Sequence, residues 1–114
     1  MNQTELHQMF VDKLLLTFGS RPDVRCWKRV VGFDELRKIA FGVPGESDLQ
    51  GIVRPGKFLA IEAKTGKATR TPKQETWAKM IQSFGGIYIL ARCLDFSDLE
   101  DACKRALADF EAQI

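Results

Sequence analysis

The segment 57–64, Lys-Phe-Leu-Ala-Ile-Glu-Ala-Lys, constrains the fold of this chain more than any other part of the sequence. Side chains along a β-strand alternate between two faces, so positions 59, 61 and 63 share one face and positions 58, 60, 62 and 64 share the other. The strand begins apolar on both faces, as an interior strand does, but it ends with Glu62 and Lys64 on the same face. Burying such charges is costly unless they are paired or bind a metal.

Glu62 and Lys64 alone fit two interpretations, an ion pair at a fraying strand end or part of a functional site. Asp48 favours the site, because it opens the preceding strand and a hairpin can bring it across from Glu62. A two-residue turn at Pro55 and Gly56 would pair position 49 with 62 and turn Asp48 away, whereas a three-residue loop over 54–56 pairs 48 with 62. We expect the three-residue loop, because Pro suits the first central position of a turn and Gly the left-handed residue of a G1 bulge.

Two convergent carboxylates form a hard-oxygen site, which suits Mg²⁺ or Mn²⁺ better than zinc. His7 is the only histidine of the chain, which leaves little basis for histidine-rich metal sites or Ser-His catalysis. It lies early in a predicted helix, where we expect an exposed side chain. The three cysteines are widely spaced and form no Cys-x-x-Cys pair, so we expect buried free thiols.

Hydrophobic periodicity and turn residues predict a single domain over residues 1–114 with the element order α-β-β-β-α-β-α. The first helix, capped by Asn2 or Thr4, runs to about Phe18, with an apolar face that includes Leu6, Met9, Phe10 and Leu14. Strands follow over 24–31, 48–53, 57–64 and 87–91. The segment 32–47 is hard to assign, and its middle, 34–40, is compatible with one or two helical turns. This order predicts an α/β sandwich around a mixed sheet.

Two capping boxes mark the other helix starts. Thr71 at the N-cap, Pro72 at the first helical position and Gln74 at the third open one helix, which Gly85 and Gly86 end. Its predicted apolar face consists of Trp77, Met80, Ile81 and Phe84. The sequence Ser97-Asp98-Leu99-Glu100 is a second capping box and predicts the start of the final helix.

The formal net charge of +2 is mild, but the cations are grouped. The segment 64–73 contains four cations, Lys64 and Lys73 included, and no acid. Arg25 and Arg29 belong to a second group of cations, over 21–29. Such runs are typical of a solvated surface and, beside a catalytic site, of a nucleic-acid contact. No apolar stretch approaches the length of a membrane span, and the N-terminus is unlike a secretion signal. We therefore expect a cytoplasmic protein, in the host cytoplasm if it is viral.

Several of these residues together resemble the VRR-NUC branch of the PD-(D/E)XK nucleases, over roughly residues 27–94. The resemblance is carried by Gly45-x-x-Asp48-Leu49, Ile61-Glu62-Ala63-Lys64-Thr65-Gly66-Lys67, Thr71-Pro72-x-Gln74-x-x-Trp77 and Gly85-Gly86. An acid followed by Glu-x-Lys is common by chance, but the trailing helix makes the pattern much more specific. The resemblance implies a restriction-endonuclease-like αβββαβ core, with a mixed central sheet flanked by helices.

The resemblance also implies residue roles. Asp48, Glu62 and the main-chain carbonyl of Ala63 would hold Mg²⁺, for which Mn²⁺ could substitute, and Lys64 would lie beside the attacking water and the phosphate. Gln74 would orient water or phosphate, or act only in the capping box. Glu5 is similar to a first-helix acid that binds a metal-linked water, or is an ordinary acid near a helix N-terminus.

The expected function is a Mg²⁺-dependent, structure-selective DNA endonuclease, similar to Holliday-junction resolvases in scale and acting as a homodimer on branched DNA. Expected DNA contacts are Lys67, Arg70, Lys73, Arg25 and Arg29. Two alternatives remain open, a nicking or restriction-type endonuclease on ordinary duplex and a non-cutting nucleic-acid-binding module with the same fold. For a dimer surface the first helix and the segment 33–41 are candidates, with Leu15 and Phe41 favoured and Leu14 and Phe18 expected in the core.

Overall fold

The computed structural model describes residues 1–30 and 32–114, and the side chains of all of these except 32–34 and 39–41. Val31, the predicted last residue of the first strand, lies outside the described residues. The elements are α1 (Gln3–Gly19), β1 (Val24–Lys28), β2 (Gly32–Asp34), β3 (Ile39–Phe41), β4 (Leu49–Val53), β5 (Lys57–Thr65), α2 (Pro72–Ser83), β6 (Ile87–Cys93) and α3 (Leu99–Gln113). None of the described helices is long and apolar enough to cross a membrane.

The main sheet has the strand order β1-β4-β5-β6. β1, β4 and β5 pair antiparallel and β5 and β6 pair parallel, so the sheet is mixed. Helices α1 and α3 pack on one face, and α2 packs on the other face over β5 and β6. The predicted αβββαβ-type core is confirmed.

The larger core lies between the sheet and helices α1 and α3. The Phe18 and Phe110 rings meet edge to face there, with centroids 5.4 Å apart. The buried residues of α1 are Leu6, Phe10, Val11, Leu14 and Phe18. Leu14 and Phe18 therefore complete the protein's own core, as expected. Met9 is exposed, so its assignment to the apolar face is wrong, and Val11 is buried instead.

Leu15 also packs against this core, which removes it as the favoured partner-surface residue. The other favoured residue, Phe41, has no described side chain. A smaller core on the opposite face contains Ala60, Trp77, Ala78, Ile81 and Tyr88. Phe84, predicted on the apolar face of α2, is 84% exposed because the helix ends at Ser83 and the chain turns away through Gly85.

The β4–β5 hairpin has the predicted three-residue loop. Leu49 pairs with Ile61 and Val53 with Lys57, so position 48 faces position 62 at the end of the ladder. The predicted turn type is wrong. The Arg54–Pro55 peptide is cis, which places Pro55 at the second central position, and the Gly56 amide donates to the Val53 carbonyl.

The segment 34–40 does not form the helical turns allowed by the sequence. Strands β2 and β3 pair antiparallel as a separate two-stranded sheet, joined by a turn over 35–38. Lys38 has a φ of 58°, which a right-handed helix cannot contain. The aromatic and β-branched residues on either side of the turn favour strands, and this preference prevails.

The two predicted helix starts differ in outcome. The capping box of α2 is confirmed in full, with Thr71 accepting from the Gln74 amide and Gln74 accepting from the Thr71 amide. The prediction of a capping box at the start of α3 is wrong. Asp98 is the N-cap, and its carboxylate accepts from Arg105 and the Leu94 amide while the preceding 3₁₀ turn shifts the helix start.

The cysteines are free thiols. Cys93 and Cys103 are buried as expected, and burial raises the pKa of both thiols. Cys26 is only half-buried.

Candidate active site

The candidate site lies at the end of the main sheet where β4 begins and β5 ends. Beyond Ile61, β5 continues beside β6 and pairs with no described strand on its other edge. The main-chain groups of Ala63 face this open edge: its amide donates to Asp48 Oδ2 at 2.8 Å, and its carbonyl lies 3.1 Å from His7 Nε2. The Asp48 carboxylate therefore takes the place of a main-chain acceptor for the Ala63 amide, and Asp48 itself faces Glu62 across the two strands.

Glu62 is a buried carboxylate, only 2% exposed. Its Oε2 accepts from Gln74 Nε2 at 3.3 Å, but its Oε1 is buried without a hydrogen-bond partner among the described residues. Burial and the nearby charge of Asp48 raise the pKa of Glu62 to about 8. In its charged form, Glu62 therefore has one oxygen without a donor among the described residues, and a hydrogen bond with the Asp48 side chain favours its protonated form.

The pKa of Asp48 shifts in the opposite direction to that of Glu62, although Asp48 is also buried. Burial alone would raise the pKa of Asp48, but hydrogen bonds from His7 and the Ala63 amide outweigh it, so the pKa lies below its usual value. At neutral pH Asp48 is charged, and Glu62 beside it favours the protonated form. Two neighbouring carboxylates with separated pKa values are a recurrent feature of functional sites.

Gln74 connects the start of α2 with the end of β5. Its Oε1 accepts from Lys64 Nζ at 2.8 Å and from the Thr71 amide at 2.9 Å, while its Nε2 donates to Glu62. The capping and site interpretations of Gln74 are therefore compatible, because one side chain makes both sets of contacts. The cap fixes the side chain that holds Lys64 and Glu62.

The loop before Asp48 is packed against the start of α2. Gly45 has a φ of 78°, and a Cβ there would lie 2.3 Å from the Lys73 carbonyl oxygen, so only glycine permits this approach. Ser47 is fully buried, accepts from Trp77 Nε1 at 3.3 Å and donates to the Leu49 carbonyl. These contacts position Asp48 relative to α2.

His7 belongs to the site, which overturns the expectation of a simple surface side chain. Its Nε2 is 3.5 Å from Asp48 Oδ1, in addition to its contact with Ala63, and the side chain is 37% exposed. A hydrogen bond with Asp48 raises the pKa of His7 although partial burial opposes this. A usable signal was present: His7 precedes the buried Phe10 and Val11 by three and four residues, which places it on the same helix face.

The other predicted residues lie on α1, on or near β1, and on the β5–α2 connection and the first turn of α2. Glu5 is exposed and its carboxylate accepts from the Asn2 amide group, in the first turn of α1. Arg29 donates from its amide to the Asp48 carbonyl and from its side chain to the Glu46 carbonyl. The remaining predicted DNA contacts lie on the β5–α2 connection, at the start of α2 and on β1: Lys67 (exposed), Arg70 (half-buried, 5.7 Å from the centroid of the Tyr88 ring), Lys73 (exposed) and Arg25 (exposed).

The donor set fits a hard divalent cation. Among the described residues no three His, Cys, Asp or Glu side chains are grouped closely enough to hold a metal by themselves. The predicted ligands do not require such a group, because the third is the main-chain carbonyl of Ala63. The unpartnered, buried Glu62 Oε1 is the observation that favours a cation here, since a ligand would supply the missing partner.

A comparison with known protein families and with curated proteins finds no match for this chain.

Proposed function

We propose that this protein is a Mg²⁺-dependent endodeoxyribonuclease that hydrolyses phosphodiester bonds in branched or otherwise structured DNA. The observation that carries the proposal is the buried Glu62 carboxylate, with one oxygen unpartnered, placed directly opposite Asp48 and beside Lys64 and Gln74.

Asp48, Glu62 and the carbonyl of Ala63 would hold the cation. Once bound, Mg²⁺ supplies positive charge to the phosphate and acidifies water at neutral pH. Mn²⁺ accepts the same oxygen ligands and should substitute.

Lys64 and Gln74 act on the phosphate and the attacking water. The Lys64 ammonium is held at 2.8 Å by Gln74 Oε1, which directs this cation toward the carboxylates rather than into solvent. It stabilises negative charge that develops on the phosphate during attack. Gln74 Nε2, which donates to Glu62, is the group that orients water or a phosphate oxygen.

The surrounding cations fit a DNA backbone. Lys67 and Arg70 lie on the connection from β5 to α2, Lys73 lies in the first turn of α2, and Arg29 lies beside Asp48. Each such cation that contacts a phosphate releases counterions and steepens the salt dependence of binding.

A two-fold dimer would place two cleavage centres on two strands, as resolution of a junction requires, and two-fold dimers are the commonest oligomers. Leu16, 74% exposed on α1, supports an apolar contact there. We also propose that the protein acts in the cytoplasm.

Cleavage of end-labelled DNA tests the proposal. Four-way junction, flap, duplex and single-stranded substrates of shared sequence are incubated with Mg²⁺, with Mn²⁺ or with excess EDTA. We expect metal-dependent cutting that prefers the branched substrates. Equal cutting of plain duplex would favour a nicking or restriction-type enzyme, and metal-independent binding without cutting of any substrate would overturn the proposal in favour of a binding module.

A further inference from the structure

Half of one sheet face carries no helix. Helix α2 packs over β5 and β6, whereas the neighbouring residues of β1 and β4 on that face reach solvent. Val24 and Cys26 of β1 contact the core under α1, so Arg25 and Trp27 point to the opposite side. Trp27 is 43% exposed and Ile52, which pairs with Arg25, is 52% exposed. We call Arg25, Trp27, Gln50 and Ile52 the open face.

The open face borders the candidate site. Trp27 pairs with Gln50, and Asp48 lies two residues before Gln50 on the same face of β4. Diagonal neighbours of this kind are about 7–8 Å apart between Cα atoms. An exposed indole therefore lies one strand away from the carboxylate that we propose as a metal ligand.

We propose that Trp27 stacks on an unpaired base of the nucleic acid next to the scissile phosphate, and that the open face thereby selects substrates with unpaired nucleotides. This inference rests on the proposed nuclease function. A base within an intact duplex is stacked on its neighbours and cannot present a ring face to Trp27. A nucleotide at a flap, junction or single-stranded segment can do so.

The charge of the surface favours a nucleic acid over a protein partner. Arg25 lies two residues before Trp27 on β1, and Arg29 lies two residues after it, just beyond the end of the strand. Both are exposed cations, and the Arg29 side chain also donates to the Glu46 carbonyl. An aromatic ring between cations is the arrangement with which proteins bind single-stranded nucleic acid, through base stacking and phosphate contact. The main-chain amide of Arg29 donates to the Asp48 carbonyl, so this cation lies next to the candidate site.

Equilibrium DNA binding tests this proposal. The fluorescence anisotropy of labelled flap, single-stranded and duplex DNA is measured as protein is added, with excess EDTA present to prevent cutting. Trp27→Ala should weaken binding to flap and single-stranded DNA about 5- to 150-fold, the range for loss of one base stack, and change duplex binding by less than about twofold. Trp27→Phe should retain most of the affinity, because a phenyl ring still stacks. Phe84→Ala, which removes an exposed aromatic side chain at the end of α2 and outside the open face, is the matched control and should leave all affinities unchanged.

Intrinsic fluorescence supplies an independent signal, because the only other tryptophan, Trp77, is buried. Single-stranded DNA should quench the wild-type emission and leave that of Trp27→Phe almost unchanged. An equal loss of affinity for all substrates in Trp27→Ala, or no loss, would overturn the inference. Dissociation of a dimer by Trp27→Ala in the absence of DNA would also overturn it, by assigning the open face to a protein interface. These outcomes leave metal-dependent cleavage intact, so they are distinguishable from failure of the proposed function.

Discussion

Asp48 and Glu62 lie opposite each other, but their different surroundings shift their pKa values in opposite directions. Asp48 accepts from the Ala63 amide and contacts His7, whereas Glu62 has one unpartnered oxygen and a raised pKa. We therefore expect the metal-free protein to keep a proton on Glu62 at neutral pH, and loss of this proton should lower its stability.

The pH dependence of unfolding should reveal that proton. The pKa of folded Glu62, about 8, exceeds the usual value of 4.5, so its contribution to stability is fully present below about pH 4.5 and is lost as the pH rises through about 8. Urea unfolding of the metal-free protein should show wild type losing stability over this range relative to Glu62→Gln. The exposed Glu75→Gln is the control and should follow wild type. Parallel wild-type and Glu62→Gln profiles would contradict the account.

Gln74→Glu separates the capping role from the site role. Glutamate keeps the acceptor for the Thr71 amide and Lys64 but replaces the donor to Glu62 with a negative charge. We expect the capping box to be kept and the protein to remain folded, with a large fall in cleavage rate. Gln82→Glu makes the same change at an exposed position of α2 and should leave cleavage unchanged. Wild-type activity in Gln74→Glu would return Gln74 to a purely structural role.

At the scale of elements, the site depends on the close approach of the loop before β4 to the first turn of α2. Gly45 permits this approach, and Ser47 and Trp77 maintain it through a hydrogen bond. The sheet presents the carboxylates, and α2 supplies Gln74.

Gly45→Ala should therefore damage both stability and activity. A positive φ costs alanine about 1–2 kcal/mol, and at Gly45 the added Cβ also collides with the Lys73 main chain. Gly85→Ala is the matched control, because Gly85 has a similar φ of 82° with no atom within 4 Å of a Cβ. Thermal unfolding should show a larger loss for Gly45→Ala, with cleavage reduced only in that variant. Equal losses in the two variants would show that the loop contact is unimportant.

Elements with strong local signals could be predicted from the sequence. The alternation of β5 placed Glu62 and Lys64 correctly, the three-residue loop set the register of Asp48, and Thr71 and Gln74 fixed the start of α2. Features that depend on distant contacts could not. His7 meets Ala63 across 56 residues of sequence, and the start of α3 depends on Arg105 competing for the Asp98 carboxylate. The β2–β3 hairpin was missed because its sequence fits helix and strand alike.

At the scale of the molecule, one sheet separates a large core from a face that is only partly covered. The larger core under α1 and α3 stabilises the fold. The opposite face carries the candidate site and the open face, and we propose that its residues bind the substrate.

Self-association is the prediction that belongs to this scale. We expect a homodimer in sedimentation equilibrium at micromolar concentration, because one small domain offers little surface for gripping a branched substrate. Leu16→Glu should shift the equilibrium toward monomer if α1 forms the contact, since Leu16 is exposed and its loss leaves the core intact. A monomer mass for wild type, with junction cleavage still efficient, would refute the dimer.

The most direct test of the central claim is the cleavage rate of junction DNA by Glu62→Ala and Asp48→Ala in Mg²⁺, beside wild type in Mg²⁺ and in excess EDTA. Circular dichroism establishes that each variant is folded. We predict that wild type cuts only with the metal and that both folded variants fail to cut, because each lacks one of the two carboxylates that converge at the end of β5. Undiminished cutting by either variant, or full wild-type activity in EDTA, would contradict the assignment of this site.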